Sequence, residues 1–165
     1  MRDTTVMLTV LVLALIGTPA FADPGGSPSD GGNPGGQTNS EARVAYDQGM
    51  DYFRRAQWNL AVQAFLRAVN VEPRFVEAWT NLGFSYRKTG DNQKALDAYR
   101  RALDLRPDFK FAHAYVGRLY IAMNNREMAM RHYEILRRLD AAMAEELRKA
   151  IEAGNPDQGK DAGGY

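Results

Sequence analysis

The side chains able to do chemistry are few: two histidines, no cysteine and, between Glu41 and Ala153, a single serine, Ser85. Without cysteine there is no thiol nucleophile, disulfide framework, Fe–S cluster or Cys-based zinc site, and two histidines leave too little for an all-His metal site. His113 and His132 are not spaced at i and i+4 as a ligand pair on one helix. No G-x-S-x-G, P-loop or H-E-x-x-H motif occurs. His113 is expected to pack and His132, beside Tyr133, to face solvent. The inventory predicts a chain that is not an enzyme, with no cofactor and no metal.

What the sequence does offer is aromatic, methionine and basic side chains recurring at helical spacing. One group is Arg43, Tyr46, Met50, Phe53 and Arg54; a second is Asn81, Phe84, Arg87 and Lys88, with Glu77 and Thr80; a third is Phe111, Tyr115 and Arg118, with Ala114 and Ile121. Steps of three and four residues put each group on one face of a helix. Apolar surface beside cations suits a partner segment with apolar anchors and acidic groups. Nucleic acid is a poor fit. The chain has 21 Lys+Arg against 20 Asp+Glu, and the doublets Arg54-Arg55, Arg100-Arg101 and Arg137-Arg138 fall on several faces, as solvated charge does, and not along one phosphate track.

The elements that must position these residues come from a repeat. Gly49, Gly83 and Gly117 are 34 residues apart, and so are Tyr52, Tyr86 and Tyr120; Ala61, Ala95 and Ala129; and Phe65, Tyr99 and Tyr133. The middle copy, with Trp79, Leu82, Gly83, Tyr86, Ala95, Tyr99, Ala102 and Pro107, resembles a tetratricopeptide repeat. As a helical hairpin this makes physical sense: Gly83 and Ala95 are small where two helices cross, and Tyr86 and Tyr99 fill the space beside the crossing. Thr89-Gly90-Asp91-Asn92 supplies the turn and a capping side chain for the second helix. Pro107 ends that helix.

The resemblance extends from about Ala42 to Ala153. The first copy, about 42–75, has Ala45 and Gln48 where the pattern has Trp and Leu, as an outermost repeat allows, and Thr38 with Glu41 forms a capping box that starts it. The third, about 110–140, has His113 in the Trp position, Leu136 for Ala and Ala141 for Pro. A capping helix follows over 141–153, with Met143, Leu147 and Ile151 on one face and Glu145 and Lys149 in the favourable i to i+4 order. The implied fold is all-α: seven helices in a right-handed superhelix of antiparallel pairs. The resemblance also implies that Arg43, Tyr46, Met50, Phe53, Arg54, Asn81, Phe84, Arg87, Lys88, Phe111, Tyr115 and Arg118 line a concave peptide-binding groove. One subclass of the family grips the C-terminal carboxylate of cytosolic chaperones with Lys, Asn and Arg side chains. At those places this chain has Tyr46 and Met50, then Asn81, then Phe111 and Tyr115, and only Asn81 matches.

The ends differ in composition. Met1 to Ala22 has an apolar run from Val6 to Ile16, then Gly17, Pro19 and Ala20-Phe21-Ala22, the layout of a cleaved secretory signal with the mature chain starting at Asp23. The run is too short to span a bilayer, for which about 20 apolar residues are needed, so no stable membrane insertion is expected after cleavage. Residues 23–40 are Gly/Pro-rich and read as a flexible linker, and 154–165 as a loose tail. The expected function is an exported, periplasmic or secreted, scaffold of the bacterial cell envelope that binds a peptide segment of a protein partner. Two alternatives are a subunit that self-associates into homo-oligomers and, if the apolar run is retained, a membrane-tethered assembly factor, for example in cytochrome maturation.

Overall fold

The computed structural model describes residues 34–154. They belong to the second of two units into which the chain divides, Gly32–Tyr165. Among the described residues seven helices follow in series: α1 (Pro34–Arg54), α2 (Trp58–Val71), α3 (Val76–Lys88), α4 (Asn92–Leu105), α5 (Lys110–Ala122), α6 (Arg126–Leu139) and α7 (Ala141–Ala153). Among the described residues there is no strand. Each helix packs on the next, and α5 also touches α3 and α7. This neighbour-on-neighbour packing is that of a helical-repeat solenoid. No helix among the described residues is long and apolar enough to cross a membrane.

Each hairpin turns in the same way. Ala56, Gly90 and Asn124 occupy one repeat position, and all three have positive φ, at 54°, 88° and 55°. The next amide in each case donates back to the carbonyl of Tyr52, Tyr86 or Tyr120, at 2.9, 2.9 and 2.8 Å. A left-handed residue followed by a long backward bond is the common stop of an α-helix, and glycine adopts it without steric cost. Asp91 is not the expected cap: its side chain makes no cap bond to α4 and instead accepts from Lys94 Nζ at 3.2 Å. A carboxylate beside an ammonium one turn away is drawn to the full charge and not to a backbone N–H.

The interior follows the repeat. Ala61, Ala95 and Ala129 are buried, as are Phe65 and Tyr99. A Cβ added at Gly83 would lie 2.7 Å from the Tyr99 ring, so α3 and α4 cross where only glycine fits. The third crossing is different. At Gly117 the group in the way is Leu147 of α7, not Tyr133 of α6, so α7 closes the third repeat as well as capping the array.

α7 follows α6 after one residue, Asp140, whose side chain accepts from the amides of Ala142 and Met143, both at 3.1 Å. It also accepts from Lys110 Nζ at 2.8 Å. The absent proline is thereby explained, because this residue ends one helix and caps the next. Lys110 and the Met143 amide hold the Asp140 carboxyl below the usual carboxylate range. The sign is that of a group ionised more readily when folded, so its contribution is present at neutral pH and lost in acid. Asp140→Ala is expected to cost about 1 kcal/mol, as losing an N-cap does. Amide exchange should show that loss in α7 first, and unchanged protection there would remove Asp140 from the capping role.

Two expectations at the N-terminal end change. α1 begins at Pro34, ahead of Glu41, so it takes in residues assigned by composition to the linker. Proline suits the first helical turn, where its missing N–H costs nothing. Thr38 is therefore inside the helix, and a Thr38–Glu41 capping box does not start it. The leader Met1 to Ala22, the start of the linker and the tail after Gly154 lie outside the described residues.

Candidate functional site

α1, α3 and α5 are the first helices of their pairs, and they carry the recurring aromatic and basic residues. Phe53, Phe84 and Tyr115 stand one per helix in a row, with ring centroids 4.8 Å apart for the first pair and 5.2 Å for the second. In the sequence they step by 31 residues, not 34. Each helix therefore offers its ring about one turn earlier in its own repeat, so the row runs obliquely across the three helices. Trp58 of α2 closes its N-terminal end, edge-on to Phe53 at 5.3 Å and 5.8 Å from Phe84. The other end leads to Tyr99, stacked on Tyr115 at 6.2 Å.

A second layer lies beside this row. Asn81 Nδ2 donates to Tyr46 Oη at 3.1 Å and to Met50 Sδ at 3.3 Å. The Tyr46 ring also contacts Phe75 at 4.7 Å. Burial, followed by the charge of Glu77, pushes the Tyr46 phenol up to about 12, so it remains a neutral hydroxyl.

Cations border the rings. The Arg87 guanidinium and Lys88 ammonium lie 5.1 and 5.4 Å from the centre of Phe84, and Arg43 lies 5.7 Å from that of Tyr46. Such contacts contribute about 0.5–1 kcal/mol each where water reaches them. Trp58, Lys88 and Thr89, with Ala56, Gln57, Asn59 and Leu60, line an open pocket of about 440 Å³ at the end of the row.

The structure thus divides the expected groove set. Arg43 and Arg54 are exposed, and Met50, Lys88 and Phe111 are half-buried. Tyr46, Phe53, Asn81, Phe84, Arg87, Tyr115 and Arg118 are buried. In the oblique register the rings of Phe53, Phe84 and Tyr115 on adjacent helices meet one another. Arg118, 5 % exposed at its side chain, lies 3.6 Å from Glu146 of α7, and Phe111 packs edge-on against Phe109 at 5.4 Å. Trp58 escapes a reading of the first helices because it starts a second one, α2. The 31-residue step of Phe53, Phe84 and Tyr115 was the signal that could have found the row.

His132 is also corrected: it is half-buried and not solvent-facing. Its Nδ1 lies 3.0 Å from Nδ1 of His113. His113 Nε2 reaches the carbonyl of Pro107 at 2.8 Å, as Trp79 Nε1 reaches that of Pro73 at 3.0 Å one repeat earlier. Histidine can replace tryptophan at this position because both rings offer an N–H at the same place. Among the described residues no group of three or more His, Asp or Glu side chains is arranged to hold a metal ion.

Residues 76–109 match the tetratricopeptide repeat. Among solved structures, the chain is similar to the first such domain of Spaghetti (RPAP3) bound to an HSP90 peptide, at 22 % identity over 70 % of this chain and 94 % of that one, TM-score 0.64. It is similar to the TPR2B domain of yeast Sti1 in a complex with pHsp70, at 21 % identity over 70 % and 96 %, TM-score 0.66. A mutant of MamA is 26 % identical over 60 % of this chain and 72 % of that one, TM-score 0.56. No curated protein matches.

Proposed function

We propose that this chain, a tetratricopeptide-repeat protein, is a non-enzymatic scaffold that holds a peptide segment of a partner protein on the faces of α1, α3 and α5. The observation that carries this reading is the pocket between Trp58 and Lys88, where the Trp58 ring meets a cation that stands over Phe84. An apolar anchor side chain fits against that ring, and an acidic group next to it meets Lys88, with Arg54 exposed on α1. The peptide complexes of the Sti1 and Spaghetti domains support a peptide as the class of ligand. The chaperone-tail mode fits poorly, since Asn81, the one matching clamp residue, is engaged with Tyr46 and Met50. The experiment is binding of labelled acidic and apolar peptides, with Lys88 and Arg54 reversed in charge.

The setting we propose is the bacterial cell envelope, reached by export. The leader layout supports it: a short apolar run, a Gly-Pro break and Ala-x-Ala before Asp23. Intact mass of native protein should correspond to a chain beginning at Asp23. A mass retaining residues 1–22 would replace the exported scaffold by the membrane-tethered alternative.

A further inference from the structure

We propose that the His113–His132 pair is a proton-operated latch, which holds α6 on α5 at neutral pH and lets the third repeat open in mild acid. The Pro107 carbonyl can only accept, so the neutral His113 ring carries its proton on Nε2. Its Nδ1 is then a lone pair, and His132 must donate across the 3.0 Å gap from its own Nδ1. The latch is therefore a chain of two bonds, from α6 to α5 and from α5 to the loop that leaves α4. It ties the third repeat to the second.

One added proton leaves that chain intact, since a charged His113 donates to a His132 that has moved its own proton to Nε2. A second proton cannot be accommodated. It sets N–H against N–H at the same gap and places two positive rings 5.2 Å apart. Burial, and then the charge of His113, push His132 from its ordinary 6.5 down to about 4. The open state takes this proton below pH 6.5 while the closed state refuses it until about pH 4, so opening grows as pH falls through that window.

Other charges near the junction are engaged elsewhere. From α5, the Tyr120 ring stacks on His132 at 5.7 Å, and Lys110 binds Asp140. In the loop after α4, Arg106 binds Glu77 at 2.9 Å and Asp108 is exposed. On α6, Arg131 pairs with Glu127, and on α7 Arg148 pairs with Glu145 and Glu152. Among the described residues, His113 supplies the charge that acts on His132. Asp140 and Glu145 are held below the usual carboxylate range by Lys110 and Arg148. They stay ionised at pH 5, so their loss does not open the repeat there.

The test is amide exchange on the full chain, expressed as protection against intrinsic rates, with ring titration of both histidines by NMR. Between pH 7 and pH 5 the opening constant of α6 is expected to rise about twentyfold, from one proton taken up with a pKa of about 6.5 open and about 4 closed. α1 and α2 should change far less. His132→Phe, which keeps a ring against Tyr120, and His132→Gln, which keeps a donor for His113, should each remove the acid window. Two rings titrating independently near 6.5 would overturn the latch. So would equal loss of protection in every helix, or a twentyfold loss that survives both substitutions.

Discussion

Gly83→Leu is expected to cost the array its middle repeat. The first atom added at this position already falls 2.7 Å from two carbons of the Tyr99 ring, and Leu adds three more carbons beyond it. The Tyr99 ring cannot swing aside, because it is fully buried and stacked on Tyr115 at 6.2 Å. Overpacking of this kind costs about 1–3 kcal/mol or more. In a domain of this size that lowers the melting temperature by roughly 10 °C at the upper end. In a solenoid the loss also uncouples the repeats on either side, since each contacts only its neighbours. Thermal melting followed by circular dichroism reads the effect. A variant melting within a degree or two of the parent would mean that α3 and α4 do not cross at Gly83.

The period that identified Gly83 also marks how far the sequence could be read. Four positions recurring every 34 residues make the all-α fold of helical hairpins legible, because each position is tied to one steric demand: a small residue at a crossing, a ring beside it. The same period does not carry over to the crossing at Gly117. Its neighbour is Leu147 because α7 follows α6 after Asp140 alone and arrives early, and that depends on a cap and an ion pair to Lys110, not on a repeat position. The candidate site was legible as a set of helices but not as a surface. Residues aligned at 34 looked parallel, whereas the rings that meet are the ones 31 apart. The histidine pair is invisible for a related reason: i to i+4 spacing reports contacts along one helix, and this contact is made between α5 and α6.

Burial also decides which charges can test the groove. Arg87 and Arg118 each follow an aromatic residue by three, yet neither suits a charge reversal. In the structure Arg118 is buried 3.6 Å from Glu146. A glutamate there would face another carboxylate and unsettle α7, confusing folding with binding. Arg87 is buried over Phe84 and has the same fault.

Lys88→Glu combined with Arg54→Glu is the cleaner pair, and is expected to weaken binding of an acidic and apolar peptide about a hundredfold or more. That corresponds to about 2.7 kcal/mol for two charges turned from attraction to repulsion. Arg54 is 64 % exposed at its side chain and pairs with Asp51 one turn away, and Lys88, half-buried at the end of α3, gives up its place over Phe84 at a cost to the fold of about 0.5–1 kcal/mol. Lys88 also stands over Phe84 at the mouth of the Trp58 pocket, where a peptide's acidic group would have to pass. The control is Arg100→Glu with Arg137→Glu. It changes net charge equally, but on the second helices α4 and α6, where both residues pair with acids on their own helix. Added salt should weaken the parent's binding and strengthen the remnant in the Lys88 and Arg54 variant, since screening relieves the repulsion it now carries. Equal weakening by test and control would assign the effect to long-range charge. No weakening by either would move the partner to another face of the solenoid, and with it the reading of the Trp58 pocket as the anchor site.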